Sequence, residues 1–144
     1  MGFDAHTWVP AQELGEAGIA PWGIPWADRW YIITPHQKRR FPEKVDFCTS
    51  AGFLGGRAER LASGVRGGGP LAVVTDLGIL EPDESGELIL TALHPGCTVE
   101  QVKENTGWPI RTAQVIRTTA PLLESELRLL REELDPQGIY LKGS

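Results

Sequence analysis

The amino-acid sequence predicts an α/β domain built on an open mixed sheet with flanking helices. Three observations carry that expectation. Short apolar runs rich in β-branched and aromatic residues recur between glycine and proline clusters, as strands do. Two of those runs are joined by a short acidic turn, so part of the sheet is antiparallel. Two further segments have marked helix ends.

Residues 1–29 stand apart as an irregular arm. The first thirty residues hold Trp8, Trp22, Trp26 and Trp30, with Pro10, Pro21 and Pro25 between them. Repeated Pro and Gly exclude a long helix there. Such an arm lies either on a neighbouring chain or over its own core. Residues 30–144 form the regular domain.

Trp30-Tyr31-Ile32-Ile33-Thr34 is a continuous apolar run ended by Pro35, and it predicts a strand buried on both faces. Val45–Cys48 predicts a second, shorter strand. After Gly52, Gly55 and Gly56, Arg57–Ala62 predicts one helical turn. Gly67-Gly68-Gly69-Pro70 then leads into the strand Leu71–Thr75. The glycine run precedes a strand, so it predicts a close backbone passage rather than a phosphate cradle. Asp76–Leu80 is expected to continue the extended chain through a kink at Gly78. Pro82–Gly86 is the turn cluster, and Leu88–Leu93 is the returning strand of a hairpin.

Thr98-Val99-Glu100-Gln101 is a capping box, in which Thr98 and Gln101 satisfy each other's backbone N–H groups. Gly107 is expected to end that helix in the left-handed conformation. A second helix is expected from about Pro121 to Leu134. Its Leu123, Leu127, Leu130 and Leu134 fall on one stripe, a docking face. Glu124–Arg128 and Arg128–Glu132 are i,i+4 pairs on the wet side, each worth ~0.3 kcal/mol. Asp135-Pro136 ends it.

Composition excludes several classes. A net charge of −5 argues against a general nucleic-acid binder. No apolar run reaches the ~20 residues of a membrane span. His6 stands where a myristoylation signal needs Ser or Thr, so that lipid anchor is not expected either. Two cysteines, Cys48 and Cys97, make neither a disulfide scaffold nor a local metal knuckle. A soluble domain of a reducing compartment, the cytoplasm, is the expectation.

No HExxH, P-loop or G-x-S-x-G pattern is present, and no residue is assigned a catalytic or metal-binding role. His94 before Pro95 and Cys97 before the cap Thr98 read as structural. The distinctive chemical feature is the basic cluster His36, Lys38, Arg39 and Arg40, directly after a predicted strand. Open α/β sheets place ligand crevices at such strand ends, and Arg and Lys there can hold phosphates. The alternative is a solvated loop whose cations pair with acids such as Glu43 and Asp46.

The segment His36-Gln37-Lys38-Arg39-Arg40-Phe41-Pro42-Glu43-Lys44-Val45-Asp46-Phe47 resembles the region H-x-x-R-R-F-x-E-K-V-D-F of the β subunits of glutaconate-type family I CoA-transferases. Gly67-Gly68-Gly69-Pro70, Ala72–Gly78, Gly86-Glu87-Leu88, His94-Pro95-Gly96, Thr98-Val99 and Asn105-Thr106-Gly107 follow in the order found in the C-terminal half of those subunits. The resemblance runs from about Trp30 to Pro136. It implies a CoA-transferase-like fold with a mostly parallel sheet, CoA or acyl-CoA as substrate rather than a permanent cofactor, and an α-type subunit as partner. His36, Lys38, Arg39 and Arg40 become the candidate CoA-binding residues.

In that family a glutamate carboxylate attacks the acyl-CoA, passes through an anhydride and becomes a glutamyl-CoA thioester that a second acid resolves. The family places that glutamate in the N-terminal half of the subunit, in a Ser-Glu-Asn-Gly-like setting, and nothing in this sequence corresponds to it. The isolated chain is therefore expected to be inactive, though part of a hetero-oligomeric enzyme. Two other roles stay open. One is a subunit of a ring-opening hydrolase acting on CoA thioesters; the other is a non-catalytic interaction module.

Overall fold

The computed structural model describes residues 28–45, 52–65 and 67–139. The expected arm lies almost wholly outside them, and so does most of the expected strand Val45–Cys48. Five strands are described: β1 (Trp30–Ile33), β2 (Pro70–Val74), β3 (Gly78–Pro82), β4 (Leu88–Leu93) and β5 (Thr112–Thr118). Helix α1 is Arg57–Ala62, α2 is Val99–Glu104, and α3 is Glu124–Arg128, which widens into a π-helical segment over Leu129–Leu134. The five strands make one sheet in the order β1-β2-β3-β4-β5. β1 is parallel to β2, β3 is antiparallel to both its neighbours, and β4 is parallel to β5. Four strands therefore run one way and β3 alone runs against them, the mixed, mostly parallel α/β sheet expected.

The core lies on one face. Ile32, Val73, Leu80 and Leu90 follow one another across the sheet in register. All four are buried, against Phe41, Val102 of α2, Trp108 and Ile110. Burying such a side chain fully contributes about 1.5–3 kcal/mol. The other face of β1 is open: Tyr31 is 62% and Ile33 84% exposed. The expected burial on both faces is thus corrected. β1 is an edge strand, and among the described residues it pairs only with β2.

Other local expectations are corrected too. The chain reverses between β2 and β3 instead of continuing through a kink. Thr75 N–H donates to Gly78 O (2.9 Å), and Thr75 Oγ1 takes the N–H groups of Leu77 (3.2 Å) and Gly78 (3.0 Å). A short hydroxyl side chain closes the turn much as a backbone carbonyl would. Gly107 does not adopt a positive φ. Its N–H donates to Phe41 O (2.7 Å), and a Cβ there would collide with the backbone nitrogen of Glu43. Glycine is required by close approach, and α2 ends at Asn105. The leucine stripe does not dock as a face: Leu123 is 64% and Leu134 66% exposed, while Leu127 and Leu130 are half-buried. The widened turn, in which Asp135 N–H donates to Leu130 O (2.9 Å), breaks the 3.6-residue spacing on which that stripe depended. β5 had no counterpart among the expected elements.

Several local expectations hold, although of the two ion pairs expected on the last helix Glu124–Arg128 is not formed among the described residues. The Thr98–Gln101 capping box is formed with both bonds. The β3–β4 hairpin turns at Asp83, whose carboxylate takes the N–H groups of Ser85, Gly86 and Glu87. The glycine run before β2 is a close passage, with Gly68 N–H on Asp28 O (3.0 Å) and Gly69 (φ 81°) against the Phe53 ring. On the wet side of the last helix Arg128 pairs with Glu132 at 2.9 Å.

Candidate functional site: the carboxyl edge of the sheet

Because four strands share a direction, their carboxyl ends meet along one edge. β1 delivers Thr34–His36 there, β2 Thr75 and Asp76, β4 His94, and β5 Thr119. His36 is buried, at 3% exposure. Its Nε2 lies 3.0 Å from Thr106 Oγ1 and its Nδ1 3.2 Å from Thr75 Oγ1. The Thr106 hydroxyl donates to Val102 O (2.7 Å), so its oxygen receives the Nε2–H. Nδ1 faces the Thr75 hydroxyl, whose one proton is shared between Nδ1 and Gly78 O (2.9 Å). The ring is neutral near pH 7. Burial holds its pKa down at about 4, against the raising influence of the Asp76 carboxylate. That carboxylate takes the backbone N–H of His36 at 2.6 Å.

Of the four predicted CoA-binding residues, His36 therefore lies inside the protein with both ring nitrogens occupied. The other three stand on the turn that follows it. Arg40 N–H and Phe41 N–H both donate to Gln37 O (2.8 and 3.1 Å), and the turn projects Lys38 and Arg39 into solvent. Arg39 Nε donates to Gln37 Oε1 (2.9 Å) at the surface. Arg40 is half-buried, its guanidinium folded back to donate to Thr34 Oγ1 (3.1 Å). Two outward cations and one inward cation thus stand at the end of β1.

His94, which the sequence reads as structural, bonds both ring nitrogens to neighbouring strand ends. Its Nε2 faces the Thr75 carbonyl oxygen (2.8 Å), which can only accept, so Nε2 carries the proton and Nδ1 accepts from the Thr119 hydroxyl (2.7 Å). Cys97 Sγ stands 3.8 Å from Asp76 O. Sequence reasoning missed Thr75 and Thr106, the partners of His36. They lie 39 and 70 residues away along the chain, and only the fold brings them together.

At the opposite edge the charges serve the scaffold. Arg111 pairs with Asp83 (2.5 Å) and with Glu87. Desolvation pushes the Asp83 carboxyl up, but the Ser85 hydroxyl, Arg111 and the backbone N–H groups of Glu87 and Ser85 outweigh it and hold the pKa at about 2. Arg60 is buried and donates to Gly52 O and to Gly67 O (3.3 Å), tying two glycine loops together. Among the described residues no cluster of His, Cys, Asp and Glu could hold a metal ion. No helix among them is long and apolar enough to cross a membrane.

Comparison with known proteins agrees with this geometry. The solved structure of glutaconate coenzyme A-transferase from Acidaminococcus fermentans matches with a TM-score of 0.77 at 35% identity, over 88% of this chain and 49% of that one. A subunit of the 3-oxoadipate CoA-transferase of Pseudomonas knackmussii is 46% identical over 123 residues, 85% of this chain and 47% of that protein. A cholesterol ring-cleaving hydrolase IpdB subunit of Rhodococcus jostii is 31% identical over 112 residues, 76% of this chain and 43% of that protein. The chain spans about half the length of the curated relatives it matches. The family model for coenzyme A transferase covers residues 15–105, taking in β1, the basic turn, the whole of the β2–β4 hairpins and α2. The chain belongs to the coenzyme A transferase family.

Proposed function

We propose that this chain supplies the CoA-binding edge of a CoA-transferase of the β-subunit type, a hetero-oligomeric enzyme of the cytoplasm completed by an α-type subunit. The observation that carries this reading is the placement of Lys38 and Arg39 on one turn at the carboxyl edge, in a member of this family. CoA carries a diphosphate and a 3′-phosphate, and fixed cations with several donors suit it. Lys38 and Arg39 hold phosphate in this proposal, Arg40 ties the turn to β1, and His36 acts from beneath. The nucleophilic carboxylate comes from outside this chain, whose own part is to bind and orient the CoA thioester.

Calorimetric titration of the assembled complex with CoA tests the assignment. Arg39→Ala is expected to weaken binding by ~1.5–3 kcal/mol, the scale of a charged hydrogen bond, and Arg40→Ala to act mainly on stability. Unchanged affinity in Arg39→Ala and in a Lys38→Ala variant overturns it. The second reading, a subunit of a CoA-thioester ring-opening hydrolase, draws on the likeness to the ring-cleaving relative. It needs no glutamyl-CoA intermediate, so a complex that hydrolyses a ring without that adduct favours it.

A further inference from the structure

His36 introduces the basic turn, yet its ring is bonded away from solvent on both nitrogens. Through those two bonds and its backbone N–H it joins three elements: the exit of β1, the β2–β3 turn at Thr75 and Asp76, and the exit of α2 at Thr106. Its ring also stacks on Phe41, with 4.3 Å between centroids and 13° between planes. Phe41 in turn gives its carbonyl oxygen to Gly107 N–H (2.7 Å). The four residues between the two rings, Gln37 to Arg40, are thus clamped at both ends.

We propose that His36 is the positioning residue of this turn: held by Thr75 and Thr106, it fixes the direction in which Lys38 and Arg39 present their charges, and it touches no ligand. The proposal rests on the CoA-binding reading for what the charges hold, but not for how the turn is held. The physical reason is entropic. Lysine and arginine lose much rotamer freedom on binding, and a turn that also had to order its backbone would lose more.

Amide exchange and CoA titration on the full chain, in complex where it is assembled, test it with three variants. His36→Phe keeps an aromatic ring to stack on Phe41 and removes both hydrogen bonds. Thr106→Val removes the Nε2 partner together with its bond to Val102 O, and Thr106→Ser restores both. His36→Phe and Thr106→Val are expected to speed exchange at Arg40 and Phe41 about tenfold. Both should also weaken CoA binding about tenfold, and Thr106→Ser should recover wild-type values in both measurements. Leu90, whose N–H donates to Arg111 O (2.9 Å) far from the turn, reports whether the fold survives. If Leu90 exchange also rises in His36→Phe, the threonine pair decides. Unchanged exchange at Arg40 and Phe41, or Thr106→Ser behaving like Thr106→Val, overturns the proposal. So does faster exchange with undiminished CoA affinity. A wild-type chain that ignores CoA while exchange responds as expected removes the binding reading and leaves the clamp standing.

Discussion

His36 and Phe41 lie ring on ring, 4.3 Å apart, and the residues between them are the basic turn. The contact closes a loop whose base is interior and whose crown is charged. One side of that base is polar, through Thr75 and Thr106; the other is apolar, through Trp108, whose ring centroid is 6.2 Å from that of Phe41.

The burial of His36 makes stability depend on pH. Its folded-state pKa, about 4, lies below the ordinary 6.5, so on acidification the unfolded chain takes up the proton first. The contribution is full above pH 6.5, falls as pH drops through the window, and is gone below about 4. Its size is about 3 kcal/mol by linkage. Urea unfolding of the wild type and of His36→Gln between pH 7 and 4 checks this. The wild type should lose stability more steeply, and parallel slopes would count against it.

Gly107→Ala should be severe for a small change. The added methyl would collide with Glu43 N and stand 2.8 Å from Phe41 O, both backbone atoms that cannot swing aside. Overpacking of this kind costs on the order of 3 kcal/mol. Denaturant midpoints of the two proteins give the difference, and a shift within error would mean that the passage beside Phe41 is looser than these contacts require.

The capping box offers a milder case. Thr98→Ala removes the oxygen that takes Gln101 N–H, and should cost about 1 kcal/mol. Helix α2 brings Val102 to the core and is followed directly by Thr106, so exchange at Thr106 and at Phe41 should rise with the loss of the cap. Thermal unfolding with amide exchange reads both effects, and a stability change without any response at Thr106 would separate the cap from the site.

What was legible in the sequence follows the range of the interactions. The capping box, the Asp83 hairpin and the β2 and β4 strands are specified within a few residues of themselves, and they stand as expected. The same locality misled at Gly78. Its local pattern points to a kink, whereas the glycine makes a close approach to Ala92 O, which a Cβ at this position would strike. β5 was missed although Thr112–Thr118 holds a Val-Ile pair among threonines. Its burial does not alternate strictly, since Ala113 and Ile116 alone are half-buried, and period-two patterning is the signal that finds strands. The basic cluster was visible as charge, while the division into outward Lys38 and Arg39 and inward Arg40 needed the Thr34 hydroxyl to be in place. The interior role of His36 depends on partners 39 and 70 residues away, which no local pattern encodes.

The most demanding prediction concerns turnover. Moving CoA between acids requires a carboxylate that can form an anhydride and then hold CoA as a thioester. Among the described residues, Asp76 is a carboxylate at the carboxyl edge, and it is engaged by the His36 backbone N–H at 2.6 Å. A carboxylate held by a short backbone hydrogen bond is a weakened nucleophile, and moving it would release the turn on which Lys38 and Arg39 stand. The purified chain alone is therefore expected to show no CoA-transferase turnover, and Asp76→Asn should disturb the basic turn rather than remove an activity. Incubation with acyl-CoA followed by mass spectrometry of the intact chain provides the check. A CoA adduct on any aspartate or glutamate, together with measurable exchange of CoA onto a second acid, would show that the nucleophile lies within these 144 residues after all.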